Sequence, residues 1–76
     1  MQETIGHNIR ARREALGMTQ AELAEKVVKN AKREGYISIV ENGKTVIDVV
    51  RLSEFANALS CQASDLLVAV RDLVKA

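Results

Sequence analysis

The chain has 76 residues, with 11 Lys and Arg against 10 Asp and Glu, and this length limits it to one small domain, residues 1–76. The formal net charge of +1 is too small to indicate nucleic-acid binding through bulk charge, and the single cysteine rules out an internal disulfide framework. No stretch has the form of a signal peptide or is apolar for long enough to span a membrane. We therefore expect a cytoplasmic protein that does not contact a membrane.

Apolar residues at helical spacing predict five helices, and the first two lie ahead of residue 30. The first runs from about Thr4 to Leu16, with Leu16 on its inner face, and Gly17 follows as a stop. The second begins after Thr19. Thr19 and Glu22 have the spacing of a capping box, in which each side chain accepts a hydrogen bond from the backbone of the other residue.

The other three helices follow residue 30. The third turns Ile37 and Val40 inward and ends at Asn42 and Gly43. The fourth begins after Asp48 as N-cap, and its inner face is predicted to hold Val49, Leu52, Phe55, Ala56 and Leu59. The fifth covers about residues 63–75. Five short helices make an all-α domain, and the short link at about residues 28–32 permits a helix-turn-helix, although a generic five-helix bundle fits the same pattern.

A resemblance to a known family is carried by three segments: "IGHNIRARREALGMTQAELAEK", "YISIVENGK" and "LSEFANALSCQASDLL". In this order they resemble the XRE family of helix-turn-helix domains, which is similar to the phage repressors and Cro. The resemblance covers about residues 5 to 67. It implies a five-helix repressor-like fold in which the second helix lies across the DNA backbone and the third enters the major groove.

The resemblance also implies roles for single residues. Family positions that lie at or near DNA phosphates are matched by Arg10, Gln20, Asn42 and Lys44. A partly buried salt bridge between the first helix and the end of the third is matched by Arg13 and Glu41. The N-terminus of a helix suits an anion in any family, which supports the role of Gln20 independently.

The chain departs from the family in the segment before the third helix, which is about three residues longer than usual. Val28 replaces the usual glycine of the turn, while Gly35 and Ile39 stand where polar base-reading residues often lie. We expect the extra residues to extend the N-terminal end of the third helix, with Asn30 as N-cap. Alternatively, the second helix continues through Lys29 or beyond and a short third helix begins at Gly35.

The lengthened segment is basic and supplies most of the remaining predicted DNA contacts, with two more in the third helix: Lys29, Asn30, Lys32, Arg33, Tyr36 and Ser38. Lys32 and Arg33 would reach guanine edges or phosphates, and Asn30 would read adenine. The alternatives are a solvated basic loop for the cluster and packing against the second helix for Tyr36.

Apolar residues beyond the needs of so small a core predict a two-fold dimer contact. They are Val46 and Ile47 before the fourth helix, and Val70, Leu73 and Val74 in the fifth. The alternative is a fifth helix that folds back on the first. A dimer would place two recognition helices about 34 Å apart on a near-palindromic site.

The sequence shows no catalytic or metal-binding constellation. His7 is the only histidine, and Cys61 has no histidine near it in the chain and is expected to be a buried structural thiol. We therefore predict no enzyme, no cofactor, no metal and no small-molecule ligand. The predicted function is a sequence-specific DNA-binding transcriptional regulator that binds double-stranded DNA as a homodimer. The alternative is a protein-interaction module that keeps the helix-turn-helix scaffold but has lost base reading.

Overall fold

Helices account for the regular structure of residues 1–67, the part of the chain that the computed structural model describes. The α-helices are α1 (Gln2–Ala15), α2 (Gln20–Val28), α3 (Glu34–Glu41) and α4 (Val49–Ala58), and two 3-10 turns cover Ala31–Arg33 and Ala63–Leu66. The all-α prediction is confirmed for these residues. None of their helices combines the length and the apolar character that crossing a membrane requires.

The predicted fifth helix is not confirmed. Its described beginning, Ala63–Leu66, is a 3-10 turn, in which the hydrogen bonds span three residues instead of four. The rest of the predicted helix lies outside the described residues. The described part of the chain therefore has four α-helices rather than five.

Two predicted N-caps begin the helices that matter for the site. The hydroxyl of Thr19 accepts from the backbone N–H of Glu22 at 3.0 Å, and the Glu22 carboxylate accepts from the N–H of Thr19 at 2.8 Å. Asp48 accepts from the N–H of Arg51 at 2.8 Å at the start of α4. Both predictions are confirmed. These bonds use backbone donors that a helix leaves unpaired in its first turn.

All four α-helices of residues 1–67 are followed by a left-handed residue, and after α1, α3 and α4 this residue reverses the chain with the same pair of hydrogen bonds. After α3, Gly43 has φ 69° and its N–H donates to the carbonyl of Val40 at 3.0 Å. Gly17 has φ 68° after α1, as predicted from its identity. After α4 the same position is held by Ser60, at φ 56°. A side chain is strained in this conformation, so the end of α4 carries a cost that the other two ends avoid.

The core lies where all four helices meet, around the fully buried ring of Phe55. Its buried apolar residues are Ile5, Ile9, Leu23, Ala24, Val27, Ile37, Val40, Leu52, Phe55, Ala56, Leu59 and Leu66. Two predictions of inward-facing residues are wrong: Val49 is 79% exposed and Leu16 is 49% exposed. Val49 is the first residue of α4 and its side chain stays exposed, although Leu52, three residues later, belongs to the core. Leu16 is the C-cap beyond the end of α1.

α1 crosses the end of α3 with almost no space between the backbones. A Cβ atom at Gly6 would overlap the carbonyl oxygen of Val40 and stand 2.9 Å from that of Glu41. A Cβ at Gly43 would stand 2.8 Å from Cγ of Glu3. Glycine is therefore the residue that permits this crossing, and the crossing fixes the C-terminal end of α3 against α1.

Candidate nucleic-acid interface

The chain passes from α2 to α3 through a capped turn. α2 ends at Val28, and Lys29 adopts the left-handed conformation at φ 61°. The side chain of Asn30 then accepts from the N–H of Lys32 at 3.0 Å and so begins the 3-10 turn. That turn runs directly into α3 at Glu34.

Two predictions about the segment between α2 and α3 can be compared with the structure. Asn30 is an N-cap, as predicted, but it caps a 3-10 turn placed before α3 instead of the first turn of α3 itself. The expected position of the turn residue is wrong by one: the residue in the glycine-like conformation is Lys29, whereas Val28 still belongs to α2. The alternative is wrong in continuing α2 through Lys29, but its short third helix is present and begins at Glu34, one residue before Gly35.

A buried ion pair ties the elements around this turn together. Arg13 Nε donates to Glu41 Oε2 at 2.6 Å and Arg13 Nη2 donates to Oε1 at 3.1 Å, with the two side chains 11% and 3% exposed. Arg13 Nη1 donates to the carbonyl of Met18 at 2.8 Å. The hydrogen bonds that Arg13 donates to Glu41 raise the pKa of Arg13 above its ordinary value, so the guanidinium stays charged. The structure thus brings together the two residues that the resemblance pairs.

The same carboxylate also orients Gln20, the first residue of α2. Gln20 Nε2 donates to Glu41 Oε1 at 3.1 Å. Glu41 therefore accepts from one residue of α1 and one of α2 while it belongs to α3 itself. An amide nitrogen has two protons, so Gln20 keeps one donor in addition to this bond.

One face of α3 points away from the core. Ile37, Val40 and Glu41 are buried, whereas a Cβ atom added at Gly35 would meet no atom within 4 Å and Ile39 is 48% exposed. The outward residues of α3 and its C-cap are Glu34, Gly35, Ser38, Ile39 and Asn42. This face contains no lysine or arginine, so its contacts with a partner are polar or apolar and not cationic.

The two amide and hydroxyl side chains of this face are engaged with their own helix. Asn42 Nδ2 donates to the carbonyl of Ser38 at 2.8 Å and lies 3.4 Å from Ser38 Oγ. Asn42 thus closes the last turn of α3 just before Gly43. The amide nitrogen of Asn42 thus directs both of its hydrogen bonds at Ser38, within its own helix.

Tyr36 lies on a flank of α3 and packs against α4. Its ring is stacked with that of Phe55, with centroids 6.4 Å apart, and it is half-buried. The predicted exposed position of Tyr36 is therefore wrong, and its ring contact is with α4. The guanidinium groups of Arg33 and Arg51 lie 5.5 and 5.7 Å from the ring centroid, within reach of a cation–π interaction.

Arg51 is a residue of this region that the sequence reasoning missed. Its Nη1 approaches the carbonyl of Val27 at 3.5 Å, and it pairs with Glu54 at 3.1 Å. It thus connects α4 to the end of α2 and to Tyr36. The spacing of Arg51 and Glu54 indicates an ion pair along α4, but no local signal in the sequence places Arg51 beside a tyrosine of another helix.

The remaining predicted cations are exposed. Lys29, Lys32 and Lys44 lie in the turns before and after α3, and Lys29 Nζ donates to the carbonyl of Lys26 at 3.1 Å. Arg10 is on the exposed side of α1 and pairs with Glu14 at 3.3 Å, with both side chains more than half exposed. The basic groups therefore stand on both sides of the outward face of α3 along the chain.

Apolar side chains are exposed together at the loop before α4 and in its first turn. Val46, Val49 and Val50 are 79%, 79% and 70% exposed. Ile47, a predicted dimer residue, is half-buried and packs against the core instead. The other predicted dimer residues, Val70, Leu73 and Val74, lie outside the described residues.

Neither His7 nor Cys61 belongs to a chemical site in residues 1–67. His7 is exposed, and no group of His, Cys, Asp and Glu in this part of the chain is arranged to hold a metal ion. Cys61 is a free thiol, half-buried against the core, and burial raises its pKa. A raised pKa makes the thiolate scarcer and the sulfur less reactive.

A capped helix, a tight turn and a second helix with one outward face define a helix-turn-helix domain, formed here by α2 and α3. The helix-turn-helix family model matches residues 9–66. The chain belongs to this family, the XRE-type helix-turn-helix regulators that bind DNA, as its sequence motifs predicted. Comparison with curated proteins and with solved structures found no match.

Proposed function

We propose that the protein is a sequence-specific transcriptional regulator that binds a near-palindromic operator as a homodimer, with α3 in the major groove. The observation that carries this proposal is the outward face of α3, held by the Arg13–Glu41 ion pair and bordered along the chain by exposed cations. Double-stranded DNA in the cytoplasm is the proposed partner. A helix held rigidly at one end and exposed along one face suits insertion into a groove about 12 Å wide.

Phosphate contacts are proposed for the residues at the two ends of this face. Gln20 stands at the N-terminus of α2, where the unpaired backbone donors and the helix dipole favour an anion. Lys32 and Arg33 precede α3, and Lys44 follows it. Contacts of this kind fix the position of a protein on the duplex without selecting sequence, so they are expected to depend steeply on salt.

The proposed dimer interface includes the exposed valines, Val46, Val49 and Val50, at the start of α4. Three neighbouring valines that are at least 70% exposed form an apolar surface whose removal from water is favourable. A second copy presents the same surface in a two-fold contact. The other predicted dimer residues, Val70, Leu73 and Val74, are proposed to extend this interface.

Selection from a random duplex library, followed by titration at several salt concentrations, tests the proposal. We expect enrichment of a two-fold symmetric site and an affinity that falls linearly, on logarithmic scales, with salt. Lys44→Gln should weaken binding to selected and random DNA alike and should reduce the salt slope by about 1. Lys26→Gln, which removes the same charge from the last turn of α2, is the matched control and should change neither value.

The role of Arg33 is tested by comparing the two kinds of DNA. A loss for Arg33→Ala on the selected site alone means base reading, and an equal loss on both means phosphate contact. If the affinity for neither the selected nor the random DNA falls, Arg33 does not belong to the interface. Sedimentation that shows only monomer at high protein concentration, with and without the selected duplex, contradicts the dimer.

A protein-interaction module is the second candidate function, and one observation favours it. The centre of the outward face is Ile39, which is 48% exposed, and a face without cations is also suited to an apolar protein partner. The two candidates differ in one measurement. If no duplex binds even at low salt, the regulator proposal fails and the interaction module remains.

A further inference from the structure

The outward face of α3 has an unusual composition for a surface that reads DNA. Its central residue is an isoleucine, and its neighbour one turn earlier is a glycine. Its amide and hydroxyl side chains, Asn42 and Ser38, hydrogen-bond within the helix, and its one charged side chain is the exposed carboxylate of Glu34. From this arrangement we propose that Ile39 reads the 5-methyl group of a pyrimidine in the major groove. The inference rests on the proposed DNA-binding function and names the chemical feature that the site selects.

The space beside Ile39 supports this assignment. A helical side chain leans toward the N-terminus of its helix and covers the turn before its own Cα. For Ile39 the residue one turn earlier is Gly35, and a Cβ atom placed there meets no atom within 4 Å. The glycine therefore leaves an open, flat surface next to an exposed aliphatic side chain. A methyl group projecting from a base has room to enter this surface and contact Ile39.

The chemistry of base edges makes a 5-methylpyrimidine the matching partner. Guanine and adenine are read by bidentate contacts from arginine, lysine, asparagine or glutamine. The outward face holds one such side chain, Asn42, whose Nδ2 already donates to both the carbonyl and the hydroxyl of Ser38. The carboxylate of this face, Glu34, suits the N4 donor of cytosine and reads neither guanine N7 nor O6. The thymine 5-methyl is the apolar group that unmodified base pairs present in the major groove. In 5-methylcytosine the same position bears the same group, so both bases present the proposed feature.

Replacing thymine with deoxyuridine in the selected duplex tests the inference, because this change removes the methyl group and nothing else. Each thymine of the enriched half-site is replaced in turn, and affinity is measured by fluorescence anisotropy with the full chain. We expect one position per half-site where the replacement weakens binding about fourfold, as for one buried methyl-sized group. Where the enriched base is cytosine, methylation at carbon 5 is expected to strengthen binding by the same factor.

The substitution Ile39→Ala completes a double-mutant cycle with the base change. The variant is expected to bind the thymine duplex about fourfold more weakly and to lose its preference for thymine over deoxyuridine. Leu16→Ala is the matched control, because Leu16 is 49% exposed against 48% for Ile39 but lies at the end of α1. It should keep the full preference. Circular dichroism confirms that both variants are folded.

The outcomes separate this inference from the function on which it rests. If the library enriches no sequence, sequence-specific binding is itself refuted. If a site is enriched but no methyl group affects affinity, the inference is overturned while the regulator stands. An Ile39→Ala variant that keeps the wild-type response to the methyl group also overturns it, because another residue then makes the contact.

Discussion

Glu41→Ala is expected to destabilise the domain strongly, before any effect on DNA binding is considered. Glu41 accepts two hydrogen bonds from Arg13 and one from Gln20, and its side chain is 3% exposed. Truncation to alanine removes the carboxylate but leaves the Arg13 guanidinium in the same place, 11% exposed, without its main counter-charge. An orphaned buried charge costs far more than the pair contributes when it is intact.

The expected loss of stability depends on the interactions that Arg13 retains in the variant. Breaking a buried ion pair costs about 3–5 kcal/mol. Arg13 retains the carbonyl of Met18 at 2.8 Å and a distant carboxylate, Glu14, at 4.0 Å. We therefore expect the lower end of the range, about 3 kcal/mol, which corresponds to a fall in Tm of roughly 12–24 °C for a domain of this size. A 76-residue chain has a total stability of roughly 4–11 kcal/mol, so the variant would keep roughly 1–8 kcal/mol.

Thermal and urea denaturation followed by circular dichroism measures this effect. Glu14→Ala is the matched control, because it removes the other carboxylate near Arg13 from a side chain that is 56% exposed, and it should cost less than about 1 kcal/mol. The double variant Arg13→Met/Glu41→Leu should recover most of the loss, since it leaves no buried charge. If Glu41→Ala melts within a few degrees of Glu14→Ala, the ion pair does not stabilise the fold as argued.

Three further predictions concern the turns and crossings of the backbone. Gly6→Ala should lower the free energy of unfolding by about 2 kcal/mol or more, because the added Cβ overlaps a backbone carbonyl of α3. Gly35→Ala, with open space around the added Cβ, should raise the free energy of unfolding by about 0.5 kcal/mol. Equal effects of the two substitutions in urea denaturation would contradict this prediction. Ser60→Gly should raise stability by about 1 kcal/mol by relieving the left-handed strain, and Ser60→Ala, which keeps the strain, should give no such gain in the same assay. Glu22 has a pKa below its ordinary value because the backbone N–H of Thr19 donates to its carboxylate. The stabilisation of the folded state by Glu22 is therefore complete above its unfolded-state pKa and is lost as the pH falls through its lower folded-state pKa. Glu22→Gln keeps a capping acceptor but does not titrate, and it should flatten the fall of Tm in acid; parallel curves for the two proteins would refute the assignment.

The parts of the fold that could be predicted depend on residues that lie close together in the sequence. The capping box of Thr19 and Glu22 and the cap at Asp48 involve residues three apart, so their geometry follows once a helix begins. Glycine identity predicted the left-handed ends at Gly17 and Gly43. The Arg13–Glu41 pair spans 28 positions and could be named only through the family resemblance.

The parts that could not be predicted depend on contacts between distant residues or on geometry that composition does not encode. Lys29 adopts a conformation that lysine seldom adopts, and nothing in its identity marks it. The hydrophobic pattern does not distinguish a 3-10 turn from the first turn of an α-helix at Ala31–Arg33. Tyr36 was placed by the presumed direction of the DNA, but its ring is held by Phe55 of α4. Val49 continues the helical repeat of α4 by one position, but the side chain of this first residue of the helix is exposed.

The close crossing of α1 and α3 has a consequence for how the protein tolerates changes of chain length. The C-terminal end of α3 is clamped at Gly6, Glu41 and Gly43, while its N-terminal end continues into the exposed 3-10 turn of Ala31–Arg33. We therefore expect an insertion or deletion in that turn, which contributes no buried residue, to leave the crossing in place. The segment before α3 is thus a place where the length of the chain can vary while α1 and the C-terminal end of α3 keep their contact.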